Sequence, residues 1–347
     1  MIGKTNWEEA KKDYAAWWRK ESGKPLFFTV ICREPDTPTR WSGWNLAHKL
    51  DKVEENIKDF KHAYSNYIYK LHAFPLLTIN LGPGILAGYV GGEVHVRPDT
   101  VWFSKNPTLR LDEDIGLDPN SWWYRKTREI ANLAVEQGHD DFITGMTDLG
   151  GNLDVLSSLR GPEQLLYDFK DNPQRVMEWV GQLTKAWLKA YWDFYGVITL
   201  RQEGIGGWMG PWAPESWCPI QCDFAEMISP DMFQKFVVPD LQAIARSLRY
   251  TIYHWEVPGQ FPYLDCLLSI PEVTGIQWNP GPSLEPPHSP KWFPLYRKIQ
   301  EKGKLLVFCG FDLNKLDALF SAIDPKGVFI SAVVSDERVL EKLGKYL

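Results

Sequence analysis

Short runs of Val, Ile, Leu and Phe, separated by longer amphipathic stretches, constrain this chain more than any other feature. A strand period that alternates with a helical one is the mark of βα units around a parallel sheet. Eight such runs can be read, at 26–32, 75–80, 142–147, 204–209, 250–253, 275–278, 305–309 and 328–333. A ninth, at 219–223, extends the fourth or stands in for it. The predicted fold class is α/β, a TIM (β/α)8 barrel with an N-terminal helical extension and long insertions over the barrel mouth. The insertions are residues 35–70 and 82–120, far longer than the few residues of a compact βα connection. With no repeat, low-complexity tract or linker, residues 1–347 read as one domain, a size such barrels reach.

The helices have recognisable starts. Ser229-Pro230-Asp231 offers an N-cap, a proline at the first helical position and an early acid. Asn172-Pro173 opens a helix predicted to about residue 195, with Val176, Trp179, Val180, Leu183, Trp187 and Tyr191 recurring at helical spacing. That stripe reads as core. Residues 7–22 interleave Glu8, Glu9, Lys11, Lys12 and Asp13 with apolar residues, so they read as an amphipathic helix and lack the unbroken apolar stretch of an export signal.

A net charge of -6 without a long like-charge run argues against a nucleic-acid or anionic-membrane surface, which leaves small molecules as the expected partners. No stretch approaches the roughly 20 apolar residues of a membrane span. Five scattered cysteines make a poor disulfide framework and point to a reducing, cytoplasmic setting. Tryptophan, with 17 residues, is the compositional outlier, and its flat face serves both cores and ligand platforms.

Chemistry-bearing residues gather at the predicted strand ends, where barrel enzymes keep their active sites. His254 and Glu256, two apart on one strand, point to the same side. With Cys222 and Asp223 expected across the barrel, His254, Glu256 and Cys222 form a candidate zinc site of mixed N, O and S ligands. A metal-free proton-transfer pair of His254 and Glu256 is the alternative. Asp223 and Asp148 are further catalytic candidates. Arg33, Trp208, Trp212, Trp278 and Asn279 are candidate substrate contacts. The glycines match neither a dinucleotide nor a phosphate loop, and there is no serine-hydrolase elbow.

Several segments together resemble the uroporphyrinogen decarboxylase superfamily. They are Leu159-Arg160-Gly161-Pro162-Glu163 with Asp171-Asn172-Pro173, then residues 227–233 with Phe236 and Pro239, His254 to Gly259, and Gly310-Phe311-Asp312. The opening residues, Trp7-Glu8-Glu9-Ala10 through Trp17-Trp18 and Pro25, are similar to a branch labelled trimethylamine corrinoid protein-like. The resemblance implies a methyltransferase on a barrel fold, with a corrinoid (cobalamin) on a partner protein or a thiol as methyl acceptor. It also implies zinc on an H-x-C pair and a later cysteine. Here His254 matches the histidine, Glu256 replaces the paired cysteine, and Val333-Val334-Ser335 holds no cysteine. The decarboxylase branch carries several arginines after its first strand, where this chain has Arg33.

The leading expectation is methyl transfer from a small methylated donor, held on aromatic faces, to a corrinoid or thiol acceptor. Decarboxylation, glycoside processing by Asp223 and Glu256, and a non-catalytic ligand-binding barrel are the alternatives.

Overall fold

The structure, a computed structural model, describes residues 1, 4, 6–32, 43–256 and 259–347. Arg33 lies outside them. Thirteen strands run in chain order among the described residues: β1 (Leu26–Cys32), β2 (Tyr67–Leu71), β3 (Leu76–Thr78), β4 (Glu93–Val96), β5 (Val101–Ser104), β6 (Ile143–Gly145), β7 (Ile205–Gly206), β8 (Trp212–Ala213), β9 (Trp217–Ile220), β10 (Tyr250–Glu256), β11 (Gly275–Asn279), β12 (Leu305–Cys309) and β13 (Val328–Val334).

They form two principal sheets, one in the order β2-β1-β13-β12-β11-β10-β9 and one in the order β3-β6-β7-β8. From β9 round to β1 the pairing is parallel throughout, and β3, β6 and β7 are also parallel to one another. The expected α/β class with a parallel sheet is therefore present. Ladder pairing that would close the two sheets into one cylinder is absent among the described residues. At one seam β1 gives its second edge to β2, antiparallel, with Phe28 opposite Leu71 and Cys32 opposite Tyr67. At the other, β7 turns back on β8, and the gap to β9 is crossed by the Trp217 indole donating to the Ile205 carbonyl at 3.0 Å.

The fourth apolar run is thus shorter than its sequence suggests, and the ninth is a strand in its own right. Glycine explains the difference. A Cβ on Gly206 would stand 2.5 Å from Leu76 Cδ1, and one on Gly207 2.7 Å from the Trp217 ring, so this chain passes too close to its neighbours for ordinary side chains.

Helices cover the outside of the sheets. Pro173–Thr199 buries the predicted stripe, and Ser229 Oγ accepts from Met232 N at 3.3 Å, as its sequence implied. The N-terminal helix is Trp7–Trp18, shorter than the predicted 7–22, and it buries Ala10, Tyr14, Trp17 and Trp18. Trp18 donates to the Trp212 carbonyl at 2.8 Å, and Tyr14 to the His72 carbonyl at 3.0 Å. One apolar cluster extends from Tyr14 to Leu343. No helix among the described residues is long and apolar enough to cross a membrane.

The two long insertions carry structure of their own. Residues 43–71 supply the helices Asn45–His48 and Val53–Tyr64 and then β2. Residues 82–120 supply the helix Leu86–Tyr89 and the antiparallel hairpin β4–β5. That hairpin sits against bare backbone: a Cβ on Gly82, whose φ is +103°, would lie 2.5 Å from Val101 Cβ. Substitution there would strain the chain and push the hairpin away.

Candidate functional site

Strands β10 and β11 run in register, with His254 opposite Gln277, Trp255 opposite Trp278 and Glu256 opposite Asn279. Alternation along a strand sends the first and third of these pairs to one face and the tryptophans to the other. On the polar face His254 Nδ1 donates to Gln277 Oε1, and Asn279 Nδ2 donates to Glu256 Oε1 at 3.0 Å. Gln277 Nε2 donates to the Trp278 carbonyl at 3.3 Å, which leaves its oxygen turned to the imidazole.

Asp223 joins them from the end of β9. One ligand atom each from Asp223, His254 and Glu256 lie within 4.8 Å of one another. Gln221 Nε2 donates to Asp223 Oδ2 at 3.0 Å, and Asp154 accepts from the Asp223 and Phe224 backbone amides at 3.1 and 2.7 Å, fixing the turn that presents it. His254 Nε2 and Glu256 Oε2 stand 3.8 Å apart, too far for a hydrogen bond.

The electrostatics are those of an acid-rich pocket around one imidazole. Burial opposes a charge on His254, whose side chain is 12 % exposed, yet Glu256, Gln277 and Asp223 outweigh it and raise its pKa. Glu256, held by His254, is lowered. Burial raises Asp223 and Asp154, and each feels a neighbouring carboxylate. Asp148, just past β6, is pushed up to about 6 by burial, with Asp223 adding to the effect while the Gly150 amide and His254 oppose it. Repulsion among neighbouring carboxylates is relieved when a cation enters.

A divalent metal passes the test set by these donors. With its Nδ1 proton committed to Gln277, His254 offers Nε2 as the free lone pair, the arrangement usual for ligating histidines. Two carboxylates beside it make an N,O,O set suited to zinc or another borderline divalent ion. The three atoms spread slightly wider than ligands each about 2.0–2.2 Å from one ion.

Cys222 was expected as the sulfur ligand, and its placement corrects that expectation. It is 1 % exposed, burial raises its thiol well above the ordinary range, and Asp223, the next residue, takes its place in the cluster. Trp212 and Trp278 are corrected for the same reason. Each is 1 % exposed, Trp212 beneath Trp7 and Tyr14, Trp278 between Trp255, Phe261 and Trp292. Neither presents a face to a ligand. Asn279 acts on Glu256 as described.

Trp208 does reach open space. It meets His254 edge to face, with ring centroids 5.3 Å apart, and its Nε1 has no hydrogen-bond partner although that atom is buried. It lines two adjoining cavities. One, of about 350 Å³, also holds Trp44, Phe60, Tyr64, Asn80 and Asp148. The other, of about 430 Å³, holds Phe28, Tyr67, Tyr69 and Phe74, with Cys309 and Ser331 at its polar edge. Tyr64, Leu76 and Thr78 border both, so this aromatic cleft follows the seam between β1 and β3. No Lys, Arg or His occurs among the described residues lining either cavity.

Sequence reasoning missed Gln277, Asp154 and the tyrosines of β2. Gln277 had a signal, since it precedes Asn279 by two and shares its face. The tyrosines lay in a segment read only as an insertion.

No protein-family model matches the chain, and no curated protein matches it by sequence. Solved structures do. A methyltransferase from Methanosarcina mazei is 13 % identical, with 97 % of each chain covered and a TM-score of 0.61. This chain shares its fold. A B12-independent methionine synthase from Shewanella sp. W3-18-1, in complex with selenomethionine, is 10 % identical over 92 % of this chain and 94 % of the other, with a TM-score of 0.49.

Proposed function

We propose that this protein is a metal-dependent methyltransferase that removes a methyl group from a small cationic donor seated in the aromatic cleft. The observation that carries the reading is the convergence of Asp223, His254 and Glu256 beside Trp208. The acceptor we favour is a thiol or a corrinoid (cobalamin) carried by a partner protein. The name of the Methanosarcina mazei protein supports methyl transfer as the chemistry this fold hosts. Asp223, His254 and Glu256 would hold the ion, zinc first among candidates. When bound, it supplies a Lewis acid that polarises the donor's leaving group or activates the acceptor.

The chain's own residues do the rest. Gln277 and Asn279 fix the orientation of His254 and Glu256, so little reorganisation is needed when substrate arrives. The cleft's rings exclude water and attract methyl or ammonium groups by their faces, each contact contributing about 0.5 to 2 kcal/mol for a cationic donor. Asp148, at the polar end of the same cavity, balances that positive charge or takes up a proton.

A sugar-processing role is the weaker reading. Asp223 and Glu256 converge with an imidazole on a common point, whereas glycosidase carboxylates face each other across a sugar ring. A decarboxylase acting on a polycarboxylate meets a cleft whose described lining contains no cation.

Elemental analysis of protein purified without chelator tests the proposal. About one equivalent of a divalent metal is expected, falling to background in Asp223→Asn with Glu256→Gln. Metal-free protein that regains no metal on incubation with zinc would overturn it, as would failure to bind tetramethylammonium in the cleft.

A further inference from the structure

Gly84 and Gly150 cross so closely that a Cβ on Gly150 would lie 2.5 Å from Gly84 Cα. Their φ values are +91° and +76°, and the amides of Gly84 and Ile85 both donate to the Asp148 carbonyl at 3.2 Å. Asp148 faces the aromatic cleft on one side of this crossing. On the other side Gly84 and Gly150 border a separate cavity of about 420 Å³, which Asp223 and Asp154 reach from its inner end. Pro83 borders both. The acidic cluster is therefore open to two cavities divided by bare backbone.

We propose that this second cavity is a ligand site of its own, for a small ammonium compound with an aromatic or other apolar body. Its outer rim is formed by Trp102, on β5, and Met227, which are 66 % and 52 % exposed. Large apolar side chains left open at the edge of a concave surface mark a contact surface. Trp102 belongs to a hairpin fixed by four residue pairs, with His95 opposite it, so its exposure is built into an ordered element. Phe103, Val155 and Phe224 continue the apolar wall inward, and Ser157 and Ser158 supply hydroxyls.

Charge selects the ligand. Asp154 and Asp223 are the only ionisable groups among the described lining residues. An anion would be repelled there, whereas an ammonium group is attracted, and its apolar body meets Trp102 and Met227. The site itself does not depend on methyl transfer; its use by a second substrate rests on that reading.

Benzylammonium, benzyl alcohol and benzoate share a shape and differ in charge, and calorimetry of the full chain with each tests the site. Benzylammonium should bind saturably, with the alcohol weaker and benzoate not bound. Trp102→Ala, a change at an exposed position, should weaken benzylammonium roughly fivefold. Ser157→Phe, which fills the cavity, should abolish its binding. Saturating tetramethylammonium in the aromatic cleft should leave that affinity unchanged. Equal binding of benzoate, indifference to Trp102→Ala, or competition with tetramethylammonium would overturn the proposal. If tetramethylammonium itself does not bind, the aromatic-cleft reading fails while the charge series and the Trp102 variant still decide this one.

Discussion

Gln277 lies directly opposite His254 in the β10–β11 ladder and accepts the proton of its Nδ1. A histidine so held has one tautomer, with Nε2 as the free lone pair. Gln277→Leu should remove that preference, visible in the ¹⁵N shifts of the His254 ring, and weaken zinc or cobalt binding about 10- to 100-fold. Gln277→Glu keeps an acceptor at the same place and should restore both. Unchanged ring shifts in the leucine variant would refute the assignment.

Two of the tryptophans expected as substrate contacts should behave in opposite ways. Trp278→Ala empties a packed space beneath Trp255 and Trp292 and should cost about 3 to 5 kcal/mol in denaturant melts. Trp208→Ala, at the cleft, should cost less stability and instead weaken tetramethylammonium by about 0.5 to 2 kcal/mol in calorimetry.

Gly150→Ala meets two obstacles, a positive φ and backbone 2.5 Å from the new Cβ. A loss of about 1 to 3 kcal/mol is expected from overpacking alone. Because Gly150 N also donates to Asp148 Oδ1 at 2.9 Å and so opposes the rise in its pKa, the variant should push that carboxyl further up as well as lower the melting temperature. A variant as stable as the parent would show the crossing to be looser than described.

His72 links the N-terminal helix to β1. Its Nδ1 accepts from the Phe27 amide at 3.0 Å, and its Nε2 faces Asp13 at 3.1 Å. Burial outweighs the pull of Asp13 and lowers its pKa below the ordinary histidine value of 6.5. The unfolded chain therefore takes up a proton first, so this group's contribution to stability is present above about pH 6.5 and is lost as pH falls toward the folded value. His72→Gln should remove that component. Chemical denaturation at pH 7.5 and 5.5 should show a smaller acid-induced loss in the variant than in the parent.

The parallel α/β plan was legible because apolar runs and capping residues repeat in order, and β10 carries its site residues just past an apolar stretch. What was misread follows from geometry that composition does not display. Trp278 and Asn279 both suggest substrate contacts by composition, although neighbours on a strand face opposite ways, so only one of them can be. Cys222 and Asp223 pose the same choice, settled by Asp154, which holds the turn through the amides of Asp223 and Phe224. The brevity of β7 depends on contacts with Leu76 and Trp217, each remote in sequence, and no local pattern announces it. The aromatic cleft was hidden for a similar reason, since β2 has meaning only once it lies along β1.

The pairing of β1 with β2 leaves no main-chain ladder between β1 and β3 among the described residues, and the wall beside Trp208 is formed there mostly by rings and aliphatic side chains. Spreading such a wall disturbs van der Waals contacts while every strand keeps its partners.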